Sequence, residues 1–162
     1  MNVPERWLRS FCDPSMKTDR LAQLLTMSGL EVEACAPVAP PFSGVVVGEI
    51  LKVERHPNAD KLTVCTVAAG TQRLQVVCGA PNARPGMKAP LATVGTMLGS
   101  VEIRAAQLRG VESQGMLCSA RELGLSDDHA GLLELPPEAK PGQDVRKTLD
   151  LDEQVLTFKL TP

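Results

Sequence analysis

Three short clusters of polar side chains carry the residue types in this chain that could do chemistry. The first, residues 55–61, reads R-H-P-N-A-D-K and combines cations, an imidazole, an amide and a carboxylate. The second covers residues 78–88 and the third residues 108–119. Such side chains donate hydrogen bonds and attract anions. These clusters therefore contain the candidate binding residues.

The first two clusters also have a purely structural interpretation. Pro57 fixes φ and Asn58 can turn or cap the chain, so the first cluster is also compatible with a simple loop. Gly79 permits a close backbone approach, so the second can be a strand-end bulge followed by a loop. The residue types alone do not separate the two interpretations.

An enzyme interpretation would make Cys118 or Cys78 a nucleophile, with His56 or His129 as its base. No motif places such a pair together, and cysteines flanked by Val, Leu, Gly and Met are more often inert core thiols. The D-D-H run at 127–129 suggests a metal, but such a run is more often a solvated turn. The five cysteines are scattered without a C-x-x-C pair. We therefore predict no catalytic residue and no metal site in this segment.

The composition indicates an ordinary globular chain of 162 residues with 43% hydrophobic residues and a net charge of −2. No apolar run approaches the roughly 20 residues needed to span a bilayer, and the N-terminus lacks a signal peptide. We therefore predict a cytoplasmic location. The chain has no Tyr, one Trp and three Phe, and residues 43–149 contain none of these aromatic types. This absence disfavours binding of nucleic acid by aromatic stacking.

The elements that must position these clusters follow from the hydrophobic period. A helix is predicted before Asp13-Pro14, and a second from about Thr18 to a stop at Gly29. The proline-rich segment 37–41 predicts a stiff linker and a domain boundary.

Beyond that linker the period changes to two. Five strands are predicted, at 45–53, 62–67, 74–78, 88–94 and 101–108, with a hairpin turn at 70–73 between the second and the third. A short helix at 120–123 and an extended run at 132–135 follow. Five short strands favour a partly open Greek-key barrel of the OB type over a sandwich, which usually has about seven strands. In such a barrel the loop holding the first cluster is one rim of the ligand face.

The clusters together resemble a known family. The runs H-P-N-A-D-K-L, V-C-G-A-P-N and L-R-G-V-E-S-Q-G-M-L-C-S, in this order, closely resemble the tRNA-binding OB domain appended to several aminoacyl-tRNA synthetases and synthetase-associated factors. The runs E-R-W-L-R-S-F, L-A-Q-L-L-T-M-S-G-L-E-V-E and G-L-S-D-D-H-A-G-L-L-E-L-P resemble the N-terminal part of the β subunit of bacterial phenylalanyl-tRNA synthetase. This second similarity runs from Met1 to Pro162.

The resemblance implies a tRNA-binding accessory module of a phenylalanine–tRNA ligase. It implies an α2β2 parent, with the α subunit as partner, which charges tRNA with phenylalanine using ATP and magnesium bound outside this segment. The segment itself is expected to be non-catalytic and to hold no cofactor, and neither membrane nor DNA is an expected partner. The alternative is a protein–protein interaction or assembly module without significant RNA affinity.

The predicted tRNA contacts combine phosphate-binding cations with hydrogen-bonding side chains. Backbone charge contacts and shape recognition are the expected mode, because aromatic side chains are missing. The cations are Lys52, Arg55, Lys61, Arg84, Lys88, Arg104 and Arg109, and the hydrogen-bonding side chains are His56, Asn58, Asn82, Ser113, Gln114 and Ser119.

The fold class expected from these patterns is mainly β with α, a five-stranded OB barrel inserted in a small, incomplete α+β domain. The barrel domain is predicted at 39–149, and the other domain at 1–38 continued by 150–162. Alternating residues of the two terminal segments are expected to pair, which places Leu30, Val32 and Ala34 beside Leu156, Phe158 and Leu160. Helix residues Trp7, Leu8, Phe11, Leu21, Leu24 and Leu25 are expected to cover them. That core is small, so the domain is expected to be incomplete at Pro162.

Overall fold

The computed structural model describes residues 1–159. Most of its elements are β-strands. In chain order they are β1 Asn2–Pro4, α1 Glu5–Phe11, α2 Thr18–Met27, β2 Val32–Pro37, β3 Val45–Arg55, β4 Thr63–Ala69, β5 Gln72–Cys78, β6 Lys88–Thr93, β7 Met97–Leu98, β8 Val101–Glu102, β9 Ala106–Leu108, β10 Val111–Ser113, β11 Gly115–Leu117, α3 Val145–Thr148 and β12 Gln154–Phe158. Within this described part, no helix has the length and apolar character needed to cross a membrane.

The chain divides into two compact units. One unit contains Met1–Ala39 and the segment from Asp150 onward, and the other is Pro40–Leu149. In the first unit, strands β1, β12 and β2 form an antiparallel sheet in that order. Leu156 is paired with Val3 on one side and with Cys35 on the other.

The two terminal segments pair as predicted, because β12 runs beside β2 with Phe158 opposite Val32. The predicted place of Ala34 is wrong, because an irregularity between Thr157 and Phe158 puts Ala34 opposite Thr157 and Cys35 opposite Leu156. Leu30 precedes the strand and is 56% exposed, while Leu160 lies outside the described residues. The sequence did not indicate β1, because three residues are too few to show an alternating pattern.

The predicted helical cover of this sheet is only partly correct. Leu21 is buried, and Leu8 and Leu25 pack against the cluster formed by the sheet. Trp7 and Phe11, however, are 56% and 74% exposed and pack on each other edge to face with ring centroids 5.3 Å apart. Residues four apart share one helix face, and Leu8 takes the face towards the sheet.

Leu24 was also predicted to cover the sheet, but it is 46% exposed. On α2, Ala22 and Leu25 pack against the cluster formed by the sheet, and Leu21 is buried. The helix therefore covers the sheet with fewer large side chains than the sequence pattern indicated.

The second unit is a nearly closed antiparallel barrel of five strands, in the order β11-β6-β3-β4-β5, which confirms the predicted fold class. Its core contains Ile50, Val67, Val76 and Leu91, each at 0% exposure. These residues come from alternate positions of strands whose inward side chains are apolar. The predicted turn between β4 and β5 is also confirmed, since Ala69 pairs with Gln72 and Gly70 has φ +65°.

The predicted fifth strand at 101–108 is wrong. The fifth barrel strand is β11, and residues 97–113 form two small hairpins, β7 with β8 and β9 with β10. Ile103 is buried, but Val101 and Leu108 are 59% and 41% exposed, so the apolar residues of this segment do not form one core-facing strand. Gly110, with φ +87°, turns the chain back on itself and ends the run.

The barrel is brought close to closure where β5 approaches β10 and β11. The backbone N–H of Gln114 donates to the carbonyl of Gln75 at 2.8 Å, and the N–H of Val77 donates to the Ser113 hydroxyl at 3.0 Å. A side-chain hydroxyl thus takes the place of a regular ladder bond. The predicted short helix at 120–123 is a turn that ends at Gly124, whose φ is +68°.

Candidate nucleic-acid interface

The imidazole of His56 joins the β3–β4 loop to the tip of the β9–β10 hairpin. The residue is only 5% exposed. Its Nδ1 accepts a hydrogen bond from the N–H of Asn58 at 3.1 Å, and its Nε2 lies 2.9 Å from the carbonyl oxygen of Leu108. Because Nδ1 accepts, this network assigns the ring proton to Nε2, which donates to Leu108. Both ring nitrogens are therefore engaged within the protein.

Asn58 holds the same hairpin through a second bond. Its Nδ2 donates to the carbonyl oxygen of Arg109 at 3.0 Å. Arg109 and Gly110 form the two-residue turn between Leu108 and Val111, with φ of +51° and +87°. A positive φ is unfavourable for a residue with a side chain. The bonds from His56 and Asn58 help to hold Arg109 in that conformation.

The seven predicted cations fall into two groups. Lys52 pairs with Glu54 at 2.9 Å, Arg84 with Glu134, and Arg104 with Glu102, while the Lys88 ammonium donates to the carbonyl of Pro137. Arg55, Lys61 and Arg109 are exposed, and residues 1–159 offer their side chains no hydrogen bond or ion pair.

We call Arg55, Lys61 and Arg109 the unpaired cations. Arg55 and Lys61 flank the loop between the first and second barrel strands, and Arg109 lies on the connection between the fourth and fifth. These two connections are the ones with which OB barrels bind oligonucleotides. The structure thus places the unpaired cations on the rim where a polyanion would bind.

Asn82 braces a distant loop rather than projecting freely. Its Nδ2 donates to the carbonyl of Leu132 at 3.0 Å, and its Oδ1 accepts from the N–H of Leu132 at 2.8 Å. A Cβ at Gly131 would lie 2.4 Å from Oδ1, so only glycine fits beside this amide. The contact between Gly131 and Asn82 could not be predicted from local pattern, because the two residues are about 50 positions apart in the chain.

Ser113, Gln114 and Ser119 also make internal contacts. The hydroxyl of Ser113 donates to the carbonyl of Gly115 at 2.9 Å, and the Oε1 of Gln114 accepts from the N–H of Gln75 at 3.1 Å. Ser119 donates from its N–H and its hydroxyl to Oε2 of Glu122, at 2.5 and 2.8 Å. The S-x-x-E spacing is that of a capping box, a signal that could have identified Glu122 from the sequence.

The thiols and histidines are not arranged as a nucleophile with its base. Cys118 is buried and lies 3.5 Å from the carbonyl of Met116, and both nitrogens of His56 are engaged as described. His129 is exposed, with Nδ1 3.2 Å from the carbonyl of Asp127. Within residues 1–159, no three His, Cys, Asp or Glu side chains lie close enough together to hold a metal ion.

The exposed thiol of Cys12 and the buried thiol of Cys118 should react at different rates when the chain is alkylated. Burial, with the nearby Glu122 carboxylate, raises the pKa of Cys118 to about 12. The pKa of Cys78 is also raised, first by its hydrogen bond with the Cys65 thiol and then by burial. Since only the thiolate reacts, we expect the exposed Cys12 to be alkylated much faster than Cys118 near pH 8.

Iodoacetamide labelling followed by peptide mass spectrometry measures this difference, with the denatured chain as the control. In the denatured chain the thiols should react at similar rates. Rapid labelling of Cys118 in the folded chain would contradict the inert assignment.

Comparisons with known proteins identify relatives of this chain. The model of the putative tRNA-binding domain family matches residues 45–144. The chain is 60% identical to the phenylalanine–tRNA ligase beta subunit of Bordetella parapertussis, over 100% of this chain and 20% of that protein. It is 59% identical to the corresponding subunit of Aromatoleum aromaticum, over 100% of this chain and 21% of that protein.

Among solved structures, the crystal structure of a MetRS related protein from Pyrococcus horikoshii superposes with a TM-score of 0.47 and 23% sequence identity, covering 64% of this chain and 88% of that chain. The chain spans about a fifth of the length of the curated relatives it matches. The family match extends over more than half of the chain and includes the whole barrel with its unpaired cations. The chain therefore belongs to the family of the putative tRNA-binding domain.

Proposed function

We propose that this chain is a tRNA-binding accessory module of a phenylalanine–tRNA ligase β subunit. In this proposal the parent enzyme is an α2β2 assembly in the cytoplasm. It charges tRNA with phenylalanine, using ATP and magnesium held outside this segment. The barrel domain at 39–149 binds the RNA, and residues 1–38 with 150–162 belong to a second domain into which it is inserted. The segment contributes binding and no catalytic residue.

The single observation that carries this proposal is the position of the unpaired cations. Arg55, Lys61 and Arg109 lie on the two barrel connections that serve OB ligands, and they have no acidic partner within residues 1–159. A cation without a partner can neutralise a phosphate without first breaking an ion pair. The family match and the identity to ligase β subunits support tRNA as the polyanion.

The proposed mode is contact with the tRNA backbone. Residues 43–149 contain no Phe, Trp or Tyr on which a base could stack. Asp60 and Glu112 lie near the unpaired cations in sequence, which moderates the local positive field. We therefore expect binding that is salt-sensitive and similar for different tRNAs.

The test is a titration of the chain with bulk tRNA, in which binding is monitored by fluorescence anisotropy at a series of salt concentrations. We expect log Kd to rise linearly with log salt, with a slope that reports the number of phosphates neutralised. A single-stranded DNA of equal length serves as the comparison ligand. Absence of tRNA binding at low salt would overturn the proposal.

A second function has one observation in its favour. On the first unit, Trp7, Phe11 and Met27 are 56%, 74% and 81% exposed. Exposed apolar side chains of this size are typical of protein interaction surfaces. The alternative is therefore an assembly module that binds another protein, such as the ligase α subunit. Analytical ultracentrifugation with the α subunit, with and without a Trp7→Ser and Phe11→Ser change, would detect it.

Replacing Arg109 by Asn should separate stability from binding. Asn tolerates a positive φ better than Arg does, so the change should raise the free energy of unfolding by about 0.5–1 kcal/mol. The same change removes an unpaired cation and should weaken tRNA binding. Urea unfolding and tRNA titration measure the two effects. Arg109→Val is the control, because a β-branched residue at this φ should lower stability as well as binding. A lower free energy of unfolding in Arg109→Asn would contradict the proposed backbone strain at this turn.

A further inference from the structure

An open groove of about 750 Å³ lies beside the unpaired cations, at the end of the barrel where β5 faces β11. Its lining is largely aliphatic, and most of it comes from two barrel strands and the connections next to them. The apolar lining includes Leu62, Val77, Pro81, Leu108, Leu117 and Leu132.

The groove is continuous with the candidate interface. Leu62 follows Lys61 on the first connection, and Leu108 precedes Arg109 on the second. The hydrogen bonds of His56 and Asn58 hold these two connections together. A nucleic-acid backbone that contacts Lys61 and Arg109 would therefore pass along the edge of the groove.

One part of the groove is polar. Arg121, Glu122 and His129 line it, and all three are exposed. Oε2 of Glu122 accepts both bonds from Ser119, while Oε1 has no hydrogen-bond partner within residues 1–159. The Arg121 guanidinium likewise has none there. The groove thus presents a free acceptor beside a free donor at one end of an aliphatic cleft.

We propose that this groove takes one unstacked nucleobase of the bound tRNA, a base that carries an exocyclic amino group. The inference rests on the proposed tRNA-binding function and names a subsite within it. The aliphatic walls cover the faces of the base, in place of the aromatic side chains that the barrel lacks. The amino group of adenine, cytosine or guanine donates to Glu122, and Arg121 donates to a ring acceptor or to the adjoining phosphate.

Uracil fits this arrangement less well. It has no exocyclic amino group, and its N–H is flanked by two carbonyl oxygens that would lie near the carboxylate of Glu122. The groove should therefore discriminate against uracil while accepting the other three bases. Such a preference differs from the sequence-tolerant binding expected of the unpaired cations alone.

Filling the groove tests the proposal directly. Gly79 lines the groove, its φ lies outside the strained positive range, and an added Cβ would touch only Leu62 Cδ2, at 3.4 Å. Gly79→Leu should therefore fold and place its side chain in the cleft. We expect it to lower the affinity for tRNA about fivefold or more, with an unchanged salt slope, since no phosphate contact is lost. Thr71→Leu places the same leucine side chain on the exposed β4–β5 turn, outside the groove lining, and should leave the affinity unchanged.

Nucleosides provide a second measurement on the unmodified chain, because they carry no phosphate. Cytidine, adenosine and guanosine should shift the methyl NMR signals of Leu62, Leu108 and Leu132, and uridine should shift them less. Circular dichroism confirms that Gly79→Leu is folded. If that variant is unfolded, the nucleoside measurements on the unmodified chain test the proposal by themselves.

The outcomes separate this inference from the proposed function. If the unmodified chain binds no tRNA, the proposed function fails and the subsite fails with it. If the unmodified chain binds tRNA but Gly79→Leu binds equally well, or the nucleosides leave the groove signals unmoved, only the groove inference is overturned. Groove signals that respond to the ligase α subunit and not to tRNA would instead identify a protein-docking surface.

Discussion

Replacing Arg55, Lys61 and Arg109 together by Ala is expected to lower the affinity of the chain for tRNA by about two orders of magnitude near 0.15 M salt. Each neutralised phosphate contributes a salt-dependent part to the binding free energy, because counterions are released. Losing three such contacts should also make the plot of log Kd against log salt shallower by about 2–3. Fluorescence anisotropy over a salt series measures both quantities in one experiment.

The matched control uses the cations that the structure shows in ion pairs. Lys52, Arg84 and Arg104 carry the same total charge as the unpaired set, but each contacts a glutamate. They would have to leave that partner before contacting a phosphate. Their joint replacement by Ala should therefore change the affinity and the slope less than half as much, although the net charge changes equally. Equal effects of the two triple replacements would show that net charge, rather than the barrel rim, determines binding.

Gly131→Ala should destabilise the chain by about 2–3 kcal/mol. Gly131 does not need a positive φ, so Ala is not strained by the backbone there. The added Cβ would, however, lie 2.4 Å from Oδ1 of Asn82. Asn82 must then move away and lose both of its bonds to Leu132, which leaves the backbone groups of a buried residue without their partner.

A double-mutant cycle measured by urea unfolding checks this explanation. Asn82→Ala alone should cost about 2 kcal/mol, and the double variant should cost no more than Asn82→Ala, since the clash is gone. Additive costs would contradict the contact. The salt slope for tRNA should remain unchanged in all three variants, because Asn82 acts as a brace of the loop rather than as a phosphate ligand.

The sequence by itself determined the class of the barrel and most of its strands. β3, β4, β5 and β6 are runs of six residues or more that are rich in apolar residues, and each strand contributes buried side chains to a common core. That pattern is a local property of the sequence, so it can be recognised without knowledge of the fold. Gly29 and Gly70 marked a helix end and a turn for the same reason, since a positive φ favours glycine. The ordered motifs identified the family for which the barrel fold was expected.

The fifth strand could not be predicted from the local sequence pattern. Residues 101–108 alternate apolar and polar types, yet they belong to two hairpins in which Ile103 is buried while Val101 and Leu108 are exposed, and the barrel is completed by the three residues of β11. A strand of three residues carries no periodic signal of its own. Its place is fixed by the free edge of β6, a partner more than 20 positions away in the chain.

Tertiary structure alone decided which polar residues remain available to a ligand. Nothing near Arg84 in the sequence shows that Glu134 will pair with it, while Lys61 and Arg109 stay unpaired. His56, Asn58 and Asn82 are residue types suited to RNA, but a side-chain nitrogen of each is hydrogen-bonded to a backbone carbonyl about 50 positions away. A buried polar atom must find a partner within the fold, and chain folding rather than residue type determines which atoms come within 3 Å of one another.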